Sequence, residues 1–476
     1  MTEAVVVGSG PNGLAAALTL AAAGVRVRVL EAAPLIGGGT RSGDYTDTGV
    51  VHDECSMAHP LALDTAFSRS VDLQRYGLNW EWPEIQYSHP LDGGRGVGVY
   101  RSVERTVAGL GSAGPAWRRV FGSVSDRFAD IATDFTRPLL HVPDHPIKLA
   151  RFGALAALPA TVLARVFGTE EAQALFGGVA AHAFRPLGTP MSSAIGLALG
   201  SAAHTYGWPV ARGGSGAITR AMAAAVVDLG GTIETGVHVT SLSELDAPDI
   251  VMLDTSPAAA ARIAGDRMPA RISRAYRHYR HGPAAYQVNY AVRDGIPWAD
   301  QLSRSAGTVH VGGAFADVVA AERDVHRGVM PARPFVLVGQ QYLADPTRSN
   351  YDIHPIDAYA HVPANWSGDA GAAITAQIER FAPGFSDRIV ATRIRSVARI
   401  ESDNENFVGG DITTGANTPW RLVFRPRFAL DPYATGIDGV YLCSAATPPG
   451  AGAHGMCGHN AARSALGALT TSDVAM

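Results

Sequence analysis

The sequence predicts an α/β protein that begins with a doubly wound, Rossmann-like dinucleotide-binding domain. Three observations support this fold class: an apolar, β-branched run at residues 4–7, a glycine-rich turn at residues 8–13, and an alanine- and leucine-rich helical segment directly after it. In this G-x-G-x-x-G turn, Gly8 allows the sharp turn, Gly10 lets a pyrophosphate approach the backbone, and Gly13 permits close helix packing. The N-terminus of the helix then faces the anion.

The second strand of this domain, at residues 25–30, is followed by Glu31, whose carboxylate can accept hydrogen bonds from ribose hydroxyls. The same negative charge argues against a 2′-phosphate, so the motif predicts either FAD or NAD. A glycine cluster with an arginine follows at residues 34–42. It offers a second place at which the cofactor can approach the backbone closely. This favours FAD, because FAD is the longer molecule. The alternative interpretation of this cluster is an ordinary flexible loop.

Further periodic segments continue the prediction along the chain. Residues 217–229 form a helical run that two glycines close, and residues 232–242 alternate like a strand. Residues 250–253 and 440–443 are short runs typical of buried strands, and a helix is predicted at residues 460–469. A second set of strands is predicted at residues 284–292, 308–312 and 334–339. Such a sheet typically forms the floor of a substrate cavity.

These segments predict two discontinuous domains, because the chain leaves the nucleotide-binding domain and returns to it twice. The FAD-binding domain comprises residues 1–90, 208–257 and 428–476. The α+β substrate domain comprises residues 91–207 and 258–427, with a helical, lid-like region at about 126–204. A helical segment with basic edges in that region can make a peripheral membrane contact, although buried lid helices are more common. No stretch reaches the ~18 apolar residues of a membrane-spanning helix.

The composition of the whole chain limits the other function classes. With 476 residues, 47% apolar and 17% charged, the chain is long enough for two or three folded domains. A formal net charge of -4 and the lack of a basic run argue against a nucleic-acid partner. Three cysteines without a C-x-x-C motif favour a reducing compartment, the cytoplasm by default, and argue against a disulfide framework or a thiolate metal site.

Several blocks of the sequence resemble known flavoproteins. The glycine turn, Glu31 and the glycine doublet after it resemble the start of the flavoproteins with two dinucleotide-binding motifs. Within that group, the chain resembles the phytoene desaturase-like FAD-dependent oxidoreductases, which are related to bacterial carotenoid desaturases. Four further blocks carry this resemblance nearly end to end, at residues 49–53, 208–215, 230–239 and 439–455.

The resemblance implies an FAD-dependent oxidoreductase that dehydrogenates a carbon–carbon bond of a hydrophobic, isoprenoid-like substrate. Hydride would pass to flavin N5, and oxygen or a quinone would be the electron acceptor. The motif and the resemblance together nominate the FAD-binding residues Gly8, Ser9, Gly10, Pro11, Asn12, Gly13, Glu31, Ala32, Gly38, Gly39, Thr40, Arg41, Val239, Ala445, Gly452, His454, Gly455 and Met456.

The candidate catalytic residues are His454, His59 and Asp53, because they lie in the blocks nearest the expected flavin. A histidine with a pKa near neutrality can take up a proton as a hydride leaves. Each of them has an alternative role as a structural or cofactor-packing residue. His182 and His204 are expected either to line the cavity or only to pack.

Two departures from the flavoprotein pattern qualify these assignments. Ser444 and Ala445 follow the last predicted strand, where many relatives in the wider superfamily have an aspartate. Bacterial phytoene desaturases are similar to this chain there, so the departure favours that subfamily. Gly39 stands where other relatives have an arginine, and Arg41 is the candidate replacement.

Other functions remain open alternatives. A flavin disulfide reductase is excluded, because the three cysteines offer no redox pair. An amine oxidase typically uses a lysine near the flavin, but Lys148, the single lysine of the chain, lies in an apolar helical segment. A redox-neutral flavin-dependent isomerase and a non-catalytic FAD-binding scaffold are also compatible with the motifs.

Overall fold

The computed structural model describes residues 2–474, and the first of its two large sheets is the parallel sheet of a Rossmann-like domain. Its five strands all run in the same direction, and their apolar, β-branched residues are mostly buried. In spatial order they are Val440–Leu442, Ile250–Leu253, Glu3–Val7, Arg26–Glu31 and Thr232–Thr235. The doubly wound fold predicted from the sequence is confirmed.

Helices cover both faces of the parallel sheet. Pro11–Ala22, Gly216–Asp228 and Met456–Val474 pack on one face, and Pro257–Ala264 with Ala270–Arg277 pack on the other. Small residues allow the C-terminal helix, Met456–Val474, to approach the glycine turn closely. A Cβ atom on Gly458 would lie 1.8 Å from the carbonyl oxygen of Asn12. The C-terminal helix is therefore seated directly against the start of the first helix.

The second large sheet is mixed and forms the core of the other domain. Its seven strands, in spatial order, are Ile389–Arg395, Ala284–Arg293, Ile353–Val362, Val336–Gly339, Ala306–Val311, Ile85–Leu91 and Arg95–Tyr100. The pairing of Ala306–Val311 with Ile85–Leu91 is parallel, and the other pairings are antiparallel. The helix Gly371–Phe381 packs on one face of this sheet. The chain thus enters this sheet at Ile85, inside the range predicted for the nucleotide-binding domain.

A layer of helices lies over the mixed sheet, in the region predicted as a lid. The helices are Phe128–Phe135, Pro146–Ala156, Ala160–Leu163, Glu170–Ala181 and Ser193–Thr205. Phe152 and Phe167 are buried, whereas Val162 and Val166 are 43% and 44% exposed. No single described helix has the length and apolarity to span a membrane. The two consecutive helical segments at residues 146–156 and 160–167, which are bent by 90° relative to each other, together reach the length and apolarity of a membrane span, by length and composition alone.

The remaining elements lie between the strands of the two large sheets along the chain, and most of them are short. The additional strands are Ser42–Gly43, His52–Asp53, Trp80–Glu81 and Val210–Ala211. The additional α-helices are Ala66–Ser70, Val103–Gly109, Gly114–Trp117, Ser123–Ser125, Phe315–His326, Val397–Asp403 and Pro419–Val423.

Two predicted elements have different lengths in the structure. The strand predicted at residues 232–242 ends at Thr235, because Gly236 has a left-handed φ of 75° and the Val237 N–H donates to the carbonyl of Glu31. The helix predicted at residues 460–469 is longer and extends over Met456–Val474. The shortened strand leaves residues 236–239 in a loop that follows the carboxyl end of Thr232–Thr235.

Candidate functional site

One large cavity of about 1420 Å³ lies between the carboxyl edge of the parallel sheet and the mixed sheet. A typical small-molecule pocket is about 300–1,000 Å³, so this cavity has room for a dinucleotide and a further ligand. Most of the predicted cofactor residues line one end of it: Gly8, Ser9, Gly10, Pro11, Asn12, Glu31, Ala32, Gly38, Gly39, Thr40, Arg41, Val239, Ala445, Gly452 and His454. We call this the nucleotide end.

Glu31 is held rigidly at the nucleotide end. One carboxylate oxygen accepts hydrogen bonds from the Ser9 N–H at 2.9 Å and the Ser9 hydroxyl at 2.6 Å. The other accepts from the Ala33 N–H at 2.8 Å and lies 3.4 Å from an Arg41 nitrogen. Arg41 also donates to the carbonyl of Asp403 at 3.0 Å. The acid predicted to bind ribose is therefore preorganised, and Arg41 lies beside it.

The glycine turn leaves no space for side chains. A Cβ atom on Gly10 would lie 2.7 Å from a carboxylate oxygen of Asp254, and one on Gly13 would lie 2.2 Å from the carbonyl oxygen of Gly8. Gly8 itself has a left-handed φ of 105°. Gly13 does not line the cavity, and its close approach to Gly8 matches the packing role predicted for the third glycine.

Asp254 is a site residue that the sequence analysis missed. It follows the strand Ile250–Leu253, and one of its oxygens accepts a hydrogen bond from the Gly13 N–H at 3.0 Å. Burial, together with the charge of Glu31, raises the pKa of Asp254 to about 7, against the opposing effect of the Gly13 and Gly10 N–H groups. An acid directly after a buried strand, at the switch-point edge of a parallel sheet, was the available signal.

Two buried polar atoms in the wall of the nucleotide end have no partner among the described residues. They are the Asn12 Oδ1 and the Thr255 Oγ1 atoms, and both residues line the nucleotide end. Buried polar groups are nearly always hydrogen-bonded, so unpaired ones in a cavity wall indicate a polar ligand or water. Together with Glu31 and the glycine turn, these atoms fit a dinucleotide.

His454 lines the cavity, but its ring contacts the backbone of its own loop. Its Nδ1 accepts a hydrogen bond from the Met456 N–H at 3.1 Å, at the start of the C-terminal helix. Burial lowers the pKa of His454 to about 4, partly offset by hydrogen bonds with the backbone of Gly450 and Ala451. Its ring is thus held by backbone groups, an arrangement that favours the alternative, structural role. Gly455 and Met456, predicted to bind the cofactor, do not line the cavity.

The other two predicted catalytic residues are also held by protein partners. His59 lies 2.9 Å from the Ser215 hydroxyl through Nε2 and 3.4 Å from the Ser56 hydroxyl through Nδ1. Burial lowers the pKa of His59 to about 3. Asp53 is fully buried, pairs with Arg348 at 2.6 Å and does not line the cavity. The prediction placed Asp53 near the reacting atoms, whereas the fold places it behind the cavity wall.

The mixed sheet forms the floor of the other end of the cavity. Thr308, Leu337 and Tyr359 come from three adjacent strands and line it. Lid helices and loops supply the apolar walls, with Phe135, Leu139, Leu149, Phe152, Ala156, Met191, Ile195, Leu199 and Trp208. This apolar end is continuous with the nucleotide end.

A histidine pair lies at the wall of the apolar end. His182 lines the cavity, and its Nε2 lies 2.9 Å from Nε2 of His310, which is fully buried behind it. Burial lowers the pKa of His182 to about 3 and that of His310 well below its usual range, so both rings are neutral at pH 7. Since Nε2 of His182 is used by His310, its Nδ1 is left for a ligand. His204 instead packs with Trp117, outside the cavity.

The single lysine of the chain lies outside the cavity. Lys148 pairs with Asp130 and does not line the cavity. Within residues 2–474, no group of three or more histidine, cysteine or acidic residues has the geometry to hold a metal ion.

Comparisons with known proteins agree with this architecture. The sequence profile of the NAD(P)-binding Rossmann-like domain family matches residues 6–62. No curated protein matches the chain. Solved structures with the same fold include an oxidoreductase from Methanosarcina mazei, with 14% identity, coverage of 98% of this chain and 100% of that chain, and a TM-score of 0.63.

Two further structures cover nearly the full length of both chains. A triple mutant of putrescine oxidase has 17% identity, 99% coverage of each chain and a TM-score of 0.62. A fatty acid isomerase from P. acnes that produces CLA has 14% identity, 98% coverage of each chain and a TM-score of 0.58. At these identities the likeness shows the fold. The chain thus has a Rossmann-like domain combined with a second domain on a mixed sheet, in the arrangement of known oxidoreductases.

Proposed function

We propose that this protein is an FAD-dependent oxidoreductase of the phytoene desaturase-like type, acting on a carbon–carbon bond of a hydrophobic substrate. The observation that carries the proposal is the continuity of the cavity. A glycine turn and a preorganised ribose-binding acid lie at one end, and an apolar chamber lies at the other. Such a cavity can bring an apolar substrate to the reactive end of a bound dinucleotide.

Specific residues would hold the cofactor at the nucleotide end. Glu31 would accept hydrogen bonds from a ribose, and the Gly8–Gly13 turn would face the pyrophosphate with the helix N-terminus behind it. The loop from Gly450 to His454 and Ala445 would border the redox-active ring. When bound there, FAD accepts a hydride from the substrate.

The protein itself contributes orientation, exclusion of water and proton transfer. The apolar walls exclude water from the substrate. Burial makes His182 a weak base, with a pKa of about 3, but its Nδ1 is left for a ligand and its Nε2 proton can shift toward His310 as Nδ1 takes a proton, because the two Nε2 atoms are within hydrogen-bond distance. We therefore propose His182 as the proton carrier, with His310 as its positioning residue, in preference to His454 and His59.

Two alternatives draw different support from the site. A redox-neutral isomerase is supported by the same histidine pair, since a ring that accepts a proton can also return it. An amine oxidase-like activity is disfavoured, because Lys148 lies outside the cavity and its apolar end has no lining carboxylate to bind an ammonium group. A non-catalytic scaffold would bind FAD, and its flavin spectrum would not change when substrate is added.

The decisive experiment is the visible spectrum of the purified protein, followed by anaerobic addition of hydrophobic candidate substrates. We expect a flavin spectrum that bleaches with a substrate containing an oxidisable carbon–carbon bond. A flavin spectrum that never bleaches, together with conversion of a polyunsaturated substrate, would support the isomerase. A protein that neither carries nor takes up FAD would refute the proposed function.

The His182→Gln variant should retain FAD and reduce it slowly. Removing a general base typically costs a factor of about 10²–10⁴ in rate, so we expect flavin reduction by substrate to slow about 100-fold. The measurement is single-turnover flavin reduction over a range of pH. His204→Gln serves as the control, because it replaces a buried histidine outside the cavity. Equal reduction rates in the two variants would remove His182 from the mechanism.

Asp254 should make FAD affinity depend on pH. Since its pKa is already raised to about 7, a nearby pyrophosphate would bind better to the protonated carboxyl. FAD affinity should therefore fall as the pH rises through 7. In Asp254→Asn, we expect FAD to bind roughly tenfold more tightly than in the wild type at about pH 8.5, with little difference at about pH 5.5.

Titration of the apoprotein with FAD, followed by flavin fluorescence, measures this effect directly. Asp246→Asn is the matched control, because that carboxylate has a side chain that is 88% exposed. If Asp254→Asn and the wild type bind FAD with equal affinity at both pH values, Asp254 does not face the pyrophosphate.

A further inference from the structure

Arg425 places a buried positive charge in the wall of the cavity. The residue is 2% exposed and lines the cavity, between the helix Pro419–Val423 and the strand Val440–Leu442. All of its hydrogen-bond acceptors are neutral: the carbonyl oxygens of Arg421 at 3.1 Å and Ala445 at 3.4 Å, and the side-chain oxygen of Asn417 at 2.9 Å. Within residues 2–474 no carboxylate lies within 4.0 Å of its guanidinium. A buried charge without a counter-ion is costly, so its retention calls for an anion.

The cationic character extends beyond this one side chain. Arg421 lies nearby, with its guanidinium 4.4 Å from the centre of the Tyr279 ring. The pKa of Arg421 is lowered by burial and by the charges of Arg425 and Arg280. Arg185 donates to the Asn417 carbonyl at 2.8 Å, and burial also lowers its pKa. Arg421 and Arg425 therefore repel each other, and an anion bound near Arg425 would stabilise both charges.

The acid nearest to this cluster is already used to shape a loop. Asp411 accepts hydrogen bonds from the Gly282 and Gly415 N–H groups at 2.7 and 2.8 Å, and from the N–H and hydroxyl of Thr413 at 2.9 and 2.7 Å. It also lies 3.5 Å from Nδ1 of His281. Its carboxylate is thus committed to holding residues 411–415, and it does not line the cavity.

That loop presents an unused donor to the cavity that Arg425 also lines. Thr414 lines the cavity, and its buried hydroxyl has no partner in the protein. Its φ of 55° is in the left-handed region, which is strained for a β-branched residue and typical of functional sites. The Thr414 carbonyl accepts a hydrogen bond from Tyr279 at 3.2 Å, and the charge of Arg425 acts on the same tyrosine.

None of the carboxylates that line the cavity among the described residues pairs with Arg425, which itself borders the cofactor region because it donates to the carbonyl of Ala445. The lining carboxylates, Glu31, Glu54, Asp254, Asp403 and Glu405, all belong to segments at the nucleotide end. The wall around Arg425 and Thr414 contains His281 and Asn417 and no lining acid. The apolar chamber adjoins it through Phe135, Leu139 and Leu422.

We propose that Arg425 and Thr414 form an anion subsite, and that the substrate is an amphiphile whose carboxylate binds there while its hydrocarbon chain lies in the apolar chamber. This inference rests on the proposed function and specifies its substrate class. The proposed substrate is therefore a long-chain carboxylic acid and not a pure hydrocarbon. Arginine binds carboxylates through paired N–H groups, and a hydroxyl donor completes the coordination.

The test compares two ligands that share one hydrocarbon chain, oleate and oleyl alcohol, at concentrations below micelle formation. Binding to the FAD-loaded protein is followed by isothermal titration and by the fluorescence of Trp208, which lines the cavity. We expect the wild type to bind oleate roughly tenfold or more tightly than the alcohol, as a charge-assisted contact would give. In Arg425→Gln, this preference should disappear while alcohol affinity is retained.

Three further variants make the result specific. Arg425→Lys should keep most of the preference for oleate, because it keeps the charge. Arg421→Gln removes a neighbouring charge that does not line the cavity, so it should also keep the preference. Thr414→Val removes only the hydroxyl and should weaken oleate binding severalfold, which provides a test if Arg425→Gln fails to fold.

Several results would overturn the inference. One is equal affinity of the wild type for oleate and the alcohol, and another is an equal loss of preference in Arg421→Gln and Arg425→Gln. A third is a shifted flavin reduction potential in Arg425→Gln with the oleate preference intact, which would assign Arg425 to the reduced flavin. Because the FAD content is read separately from its visible spectrum, a failure of the subsite is distinct from a failure of the proposed function.

Discussion

Gly10→Val should abolish FAD binding, which is the largest functional effect expected from a single substitution in this protein. The first side-chain atom at this position would lie 2.7 Å from a carboxylate oxygen of Asp254, on the wall where the pyrophosphate is expected. Valine adds two further methyl groups into the same space. Either Asp254 or the turn must move, and in both cases the close backbone approach is lost.

The measurement is the flavin content of the purified variant and its capacity to take up added FAD. Gly109→Val is the matched control, because an added Cβ atom there meets nothing within 4 Å. Circular dichroism establishes that both variants fold. Full flavin occupancy in folded Gly10→Val would show that the dinucleotide lies elsewhere.

Arg348→Met is expected to cause the largest loss of stability. Arg348 is fully buried and donates to Asp53 at 2.6 Å, to Asp345 at 3.3 Å and to the carbonyl of Ala211 at 2.8 Å. Removing one partner of a buried ion pair leaves an uncompensated charge, which typically costs about 3–5 kcal/mol in the free energy of unfolding. Asp53 and Ala211 come from segments that are distant in the sequence, so the substitution also weakens the association of those segments with the turn that holds Asp345 and Arg348.

Urea denaturation followed by fluorescence gives the change in unfolding free energy. Arg293→Met is the control, since the Arg293–Asp352 pair is exposed and such pairs contribute about 0–1 kcal/mol. Adding Asp53→Asn to Arg348→Met should recover part of the loss, because it removes the buried negative charge. Similar midpoints for Arg348→Met and Arg293→Met would contradict a structural role for the buried pair.

The buried ion pair of Asp53 indicates a structural role, whereas its position in the sequence suggests a catalytic one. Its position after the glycine cluster favours a role near the flavin, and the sequence contains no sign of Arg348 as its partner, 295 positions away. The same holds for His454, whose glycine-flanked loop predicts exposure to the cofactor. In the structure, that loop turns the ring toward the start of the C-terminal helix.

The features predicted well are those that neighbouring residues determine. The Gly8–Gly13 turn, Glu31 at the end of its strand, and the buried strands that were predicted in each sheet depend on short-range backbone geometry and on hydrophobic periodicity. Four strands of the mixed sheet were not predicted from the sequence: Ile85–Leu91, Arg95–Tyr100, Ile353–Val362 and Ile389–Arg395. The end of the strand at Thr235 was missed, because alternation of apolar residues continues in the sequence beyond the point where the backbone turns at Gly236.

The sequence by itself determined that this protein has a Rossmann-like domain, with an acid at the end of its second strand, and a second domain on a separate sheet. Only the tertiary structure decided which charges and donors face one cavity. It brought Asp254 to the glycine turn, His310 behind His182, and both Arg425 and Thr414 to the wall of the same cavity. The physical reason is that local patterns encode backbone conformation, whereas burial and charge pairing arise from segments that meet only when the two sheets pack together.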